Sequence, residues 1–127
     1  MKLGDIISSA FYSSLEELMK TPLDIEISYN LSELLDKVNK ERDKFKKLRL
    51  DLIKKYANKD EEGNPKIVEN SSGVKEYDIE NREAFDVEFD KLLSIHVELP
   101  TINLNSLKGI KLSASCVKEL KPLLRTY

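Results

Sequence analysis

A chain of 127 residues, 35% charged and 40% hydrophobic, is too rich in Leu, Ile and Val for wholesale disorder and long enough to bury one modest core. Four glycines, four prolines and no tryptophan argue for a helix-rich protein over a sandwich of many tight turns, and the lone Cys116 excludes an intrachain disulfide and suits a reducing compartment. A net charge of −2 argues against a dedicated mimic of a nucleic-acid backbone, although it hides alternating blocks: residues 1–36 carry −5, 37–55 carry +6, 57–98 carry −7 and 108–127 carry +4.

The first predicted element is a helix from about Asp5 to Lys20, with Asp5 as N-cap, Ile7, Phe11, Leu15 and Leu18 on one face, and Thr21-Pro22 forcing the chain out of helix. Asp5 and two Ser-Ser pairs interrupt the apolar run that a signal peptide needs, and no stretch approaches the ~20 apolar residues of a membrane span, so a cytoplasmic protein is expected. Leu23, Ile25, Ile27 and Tyr29 alternate with polar residues and predict a half-buried strand. Asn30 or Ser32 then caps the longest periodic segment, Leu31–Tyr56. Its apolar residues Leu31, Leu34, Leu35, Val38, Phe45, Leu48, Leu52 and Tyr56 share one stripe of a helix roughly 40 Å long. Glu41 and Arg42 sit where that seam would otherwise continue, a polar step of the kind that sets register.

Helical periodicity stops at Asn58. Gly63-Asn64-Pro65 is a strong breaker, and residues 66–69 face residues 74–77 across Asn70-Ser71-Ser72-Gly73, which predicts a β-hairpin. Asp78 or Asn81 caps a return helix to about Ser94, with Phe85, Phe89 and Leu92 on one face. Ile95, Val97, Leu99, Ile102 and Leu104 read as strand, able to pair antiparallel with residues 23–29. Gly109–Leu112 is a candidate short edge, and Ser113 caps a last helix limited by Pro122. The fold class expected is α+β: one domain over 1–127, with a small antiparallel sheet and packed helices as its base (1–29 and 95–127). A projecting antiparallel helical arm (about 30–94), tipped by the hairpin, completes it. A basic helix followed by an acidic one packs antiparallel with complementary fields.

No catalytic or cofactor signature emerges, and the expectation is a protein that is not an enzyme, with no cofactor and no metal. His96 alternates with Ile95 and Val97 and so falls on the polar face of a strand, without a nucleophile beside it. Cys116, one turn into the last helix, reads as a small core residue rather than a reactive thiol. Residues 58–69 place Asn58, Asp60, Glu62, Gly63 and Glu69 near calcium-loop positions. Pro65, Lys66 and the lack of a following helix favour a plain polar turn instead. The acidic residues of 60–90 could occupy a positive groove, but the small net charge weighs against that role. A basic stripe, Lys37, Lys40, Lys44, Lys47 and Lys54, flanked by Arg42, Lys46, Arg49 and Lys55, can follow a phosphate backbone, yet Glu41, Asp43 and Asp51 interrupt it and no aromatic residues interleave. Leu50 and Ile53 lie off the seam: either they touch a third element or they form an exposed apolar spot for a partner. These six residues, Lys37, Lys40, Lys44, Lys47, Leu50 and Ile53, are the candidate partner-binding set.

The order of parts resembles a family of small proteins encoded by phages and prophages of Gram-positive bacteria. The resemblance spans roughly residues 25–115. It rests on the helix ending near Ile53-Lys54-Lys55-Tyr56, the Asp60–Pro65 turn, the Asn81-Arg82-Glu83-Ala84-Phe85 helix start, Phe89-Asp90-Lys91-Leu92-Leu93, and an Ile/Val-rich strand leading to Leu112-Ser113. The resemblance implies a small protein of an infected bacterial cytosol, with no transferable functional residues. The function expected is binding to a host or defence protein, for instance as an anti-CRISPR-like inhibitor. The alternatives are a particle-assembly accessory or nucleic-acid binding through the basic stripe, and the uncovered part of the long seam makes a homodimer an open possibility.

Overall fold

A computed structural model describes residues 1–126. The chain has an α+β fold in which packed helices dominate and, among the described residues, the strands form two small two-stranded sheets. The first helix is divided: α1 covers Leu3–Ile6, and α2 covers Ser9–Lys20. Ser8 takes an extended conformation and its side chain accepts the Phe11 N–H at 3.2 Å, so it caps a new helix instead of continuing the old one.

The largest correction concerns residues 23–29, which are not a strand. Asp24 accepts the Ile27 N–H at 3.1 Å and starts α3, which runs unbroken over Ile25–Tyr56. At ~1.5 Å per residue it is about 48 Å long. Ile25 is 82% exposed and Tyr29 65% exposed, whereas Leu23 and Ile27 pack on the core with Leu31 and Leu34, which is the face selection of a helix. The expected antiparallel base sheet is therefore not formed among the described residues. Residues 95–97 pair with the first residues of the chain, through Leu3 N–H to the Ile95 carbonyl and Val97 N–H to the Met1 carbonyl, both 2.8 Å.

The hairpin forms as its turn residues predict: β1 (Ile67–Glu69) pairs antiparallel with β2 (Lys75–Tyr77). Asn70 closes its turn, its side-chain oxygen accepting from Ser72 and Val74, and Gly73 supplies the positive φ of +77°. Asn81, not Asp78, caps α4 (Arg82–Leu93), accepting the Ala84 N–H at 3.1 Å. β3 (Ile102–Asn103) pairs in parallel with β4 (Leu124–Arg125). Gly109–Leu112 is not a strand. Ser113 caps α5 (Ala114–Leu120), after which Pro122 lies in a single 3₁₀ turn.

Two apolar clusters share α3. The main core gathers Leu3, Ile6, Phe11, Leu15 and Leu18 with Leu31, Leu34, Val38 and Phe45 of α3, and with Leu107, Cys116, Leu120 and Leu123. α2 and α5 form its most extensive helix contact. The second cluster, at the other end of α3, is Ile53, Ala57 and Phe85, with Tyr77 and Ile79 against it.

The polar step in α3 fastens one element to another. Glu41 is buried and faces Lys37 at 3.4 Å and Lys44 at 3.8 Å. Arg42 donates to the Ile7 carbonyl at 3.1 Å and lies 4.5 Å from the Tyr12 ring centre, so one guanidinium satisfies the carbonyl at the α1–α2 break and stacks on α2. Arg42→Ala is expected to cost about 2 kcal/mol in chemical denaturation. Arg42→Lys should recover less than half, because an ammonium cannot donate and stack in one plane.

Candidate functional site

α3 and α4 run antiparallel, as three contacts fix: Tyr56 meets Phe85 edge-on at 6.1 Å, Lys55 meets Glu88 at 2.9 Å, and Phe45 meets Phe89 at 6.0 Å. Phe85 and Phe89 stack at 5.7 Å, continuing an aromatic row between the helices. The seam is aromatic in the middle and open on both flanks. Each flank is a groove.

The first groove, about 360 Å³, lies where α3, the hairpin and the start of α4 converge. Ile53, Ile79 and Phe85 form its floor, while Arg49, Lys75, Arg82 and Glu76 stand around it. Arg82 is held over the Phe85 ring and 3.5 Å from Asp86. Arg49 and Lys75 make no ion pair among the described residues. Three cations and one carboxylate around an apolar floor favour an anionic group attached to an apolar body.

The hairpin is tied to the helix end by a ladder centred on Asn58. Its N–H donates to the Asp78 carbonyl at 2.9 Å, its carbonyl accepts the Lys66 N–H at 2.7 Å, and its side-chain amide donates to the Asp78 carboxylate at 3.1 Å. Glu80 N–H adds a bond to the Tyr56 carbonyl at 3.0 Å. These bonds place Lys75 and Tyr77 against the helices.

The second groove, about 500 Å³, is a shallow trough on the opposite flank, between Leu48 and Leu52 of α3 and Leu92 and Ile95 at the end of α4. Its rim mixes charge: Asp51 and Lys55 on one wall, Glu88 and Lys91 on the other. The Lys55–Glu88 contact raises the lysine pKa and lowers that of the carboxyl, chiefly through their hydrogen bond.

The six candidate residues separate. Leu50 is exposed, but Ile53 is buried in the second cluster, so the two do not make one surface spot; Ile53 instead floors the first groove. Lys37 and Lys44 face the buried Glu41, which offsets part of their charge, and all four lysines of the set, Lys40 and Lys47 included, are exposed. His96 is exposed and lies 2.8 Å from Glu98. Asp60 closes its own turn by accepting from Glu62 and Asn64 N–H groups, and no group of three or more His, Cys, Asp or Glu among the described residues is arranged to hold a metal. No helix among them is long and apolar enough to cross a membrane. Sequence reasoning missed Arg49, Lys75 and Arg82 as a set, since they come from three elements; the only local hint is Arg82 three residues before Phe85.

Cys116 is 1% exposed, with its thiol 3.3 Å from the Ser14 carbonyl. Burial, and then the nearby Glu17 carboxylate, push its pKa from an ordinary 9.0 up to about 11. Because the folded value is the higher, stability is unaffected below pH 9 and falls as pH rises from 9 toward 11. At pH 8 alkylation of the native thiol is expected to be slower than in denaturant by about 100-fold from thiolate content alone. Equal rates would mean that the α2–α5 contact opens freely.

Comparison with protein-family models, with curated proteins and with solved structures returned no match.

Proposed function

We propose that the chain is a non-enzymatic, phage-type protein-binding protein that modulates or inhibits a host or defence protein. In this reading the last turns of α3, the hairpin and the start of α4 act as a projecting arm, and the first groove takes an acidic segment of the partner. The observation that carries it is the trio Arg49, Lys75 and Arg82 around the Ile53–Ile79–Phe85 floor, held in place by the Asn58 ladder. An apolar anchor flanked by carboxylates would match both the floor and the rim. The sequence resemblance supports a phage setting.

The test is a tagged pull-down from nuclease-treated host lysate at low and moderate salt, with the wild-type chain and an Arg49→Glu/Arg82→Glu variant. One host protein retained at both salts by the wild type and lost by the variant is the expected result. Retention of phage structural proteins instead would move the assembly role to first place. Capture seen from an untreated lysate run in parallel and absent from the nuclease-treated one would transfer the function to the basic stripe of Lys37, Lys40, Lys44 and Lys47. No specific capture in either form would sink the proposal.

A further inference from the structure

The hairpin has one edge of β2 in use and one free. Asn70 N–H donates to the Val74 carbonyl and Asp78 N–H to the Lys66 carbonyl, both at 2.9 Å. Bonded and unbonded pairs alternate along an antiparallel ladder, so Val68 and Glu76 are the bonded pair between these two, and Lys75 and Tyr77 turn their backbone groups away from β1. The Asp78 carbonyl accepts from Asn58, and Glu80 N–H donates to Tyr56. Since the N–H and C=O of one strand residue point to the same edge, the end of α3 shares the edge that β1 occupies. The opposite edge is left open from Lys75 to Ile79. Among the described residues nothing bonds to the backbone of Lys75, Tyr77 or Ile79, and β1 is the one element in extensive contact with β2. A row of unpaired backbone groups is a template for another strand.

Charge says which strand. The outer edge of β1 carries Glu69, whereas the free edge of β2 carries Lys75, and the side chains of Lys75, Tyr77 and Ile79 alternate onto the face that lines the Arg49 groove. Resting on the reading of that groove as the site for an acidic segment, we infer that the segment is extended and docks as a third strand on the free edge of β2. The period of two then sets its sequence: acid, any, apolar, any, acid. Its first, third and fifth side chains share one face, the apolar one over the Ile53–Phe85 floor and the carboxylates among Lys75, Arg49 and Arg82. The second and fourth face away.

The probe is a synthetic peptide, acetyl-Thr-Asp-Thr-Ile-Thr-Asp-Thr-amide, titrated into the isotope-labelled chain. Amide shifts centred on residues 75–79 and saturation at ~0.1–1 mM are expected, with no binding when lysine replaces both aspartates. Methylating the peptide's amide nitrogens one at a time should weaken binding about tenfold at alternate positions and little at those between, because every second N–H of an added strand faces its neighbour. A side chain seated in the groove without strand pairing has no such period. Lys75→Gln should weaken binding about threefold through charge alone. Lys75→Pro should abolish it, since it removes an outward N–H that the hairpin's own ladder does not use; unchanged amide shifts at Asn58 and Asp78 show that the hairpin still holds.

No shift at ~5 mM peptide overturns the inference. So does an N-methyl profile without alternation, or equal binding by Lys75→Pro and Lys75→Gln. The groove reading stands or falls separately: if a lysate partner is lost with Arg49→Glu/Arg82→Glu while the peptide shows no alternation, the acidic segment binds the groove and strand addition is wrong.

Discussion

Phe85→Ala is expected to detach the hairpin end while leaving the rest of the molecule folded. Phe85 sits against Ile53 and Ala57, stacks on Phe89 and receives the edge of Tyr56. Its removal costs the burial of a large aromatic side chain plus a cavity open to the first groove, about 3–4 kcal/mol. That loss falls on the smaller cluster, whose other support is the Asn58 ladder of a few hydrogen bonds worth ~1 kcal/mol each. Amide exchange should therefore accelerate over residues 57–80 to the rate of local opening, while α2 and α5 keep their protection. Uniform acceleration throughout would show that the two clusters fold as one unit.

Phe11→Ala should act on the whole chain. Phe11 is 1% exposed at the centre of the main core, among Leu15, Leu18 and the α3 residues Leu34 and Val38. A loss of about 4 kcal/mol is expected, against a total of roughly 5–15 kcal/mol for a domain of this kind. Denaturant titration should show the midpoint falling by a third or more with an unchanged slope. Phe11→Leu, which keeps most of the volume, should lose about 1 kcal/mol. If Phe11→Ala lowered stability no more than Phe85→Ala, the main core would not be the element that limits folding.

What was legible in the sequence was what local chemistry decides. Asn70–Gly73 allowed one hairpin turn and Ser113 offered a cap three residues before Cys116, and both read correctly; the cap of the return helix was left between Asp78 and Asn81, and the structure takes Asn81. Leu23–Tyr29 misled because two periods overlap there. Leu23, Ile25, Ile27 and Tyr29 alternate, but Leu23, Ile27, Leu31 and Leu34 also step by four, four and three. Asp24 decides between them, since its cap commits the backbone to helix and leaves Ile25 and Tyr29 facing water. The β3–β4 pair is too short for any period to announce it. The first groove was illegible for a different reason: Arg49, Lys75 and Arg82 belong to three elements, and only the folded hairpin brings the middle one to the other two. Ile53 was read as lying off the seam beside Leu50, but it packs in the seam itself, against Phe85 of the return helix and Ala57. That the hairpin would cover Ile53, while Leu50 stayed bare, depends on the direction in which the chain turns after Tyr56.

α3 passes from the main core into the second cluster without a proline, a glycine or a break. The hairpin end is consequently joined to the main core by one unbroken helix: to displace it sideways, that helix must bend along its length or the aromatic row beside it must come apart. Any molecule that meets the Arg49 groove meets a wall set by α3, with the hairpin held to it by the second cluster and the Asn58 bonds. Little ordering entropy remains to be lost on contact, so a short acidic segment with one good anchor would be held more tightly here than the modest size of the groove alone would suggest.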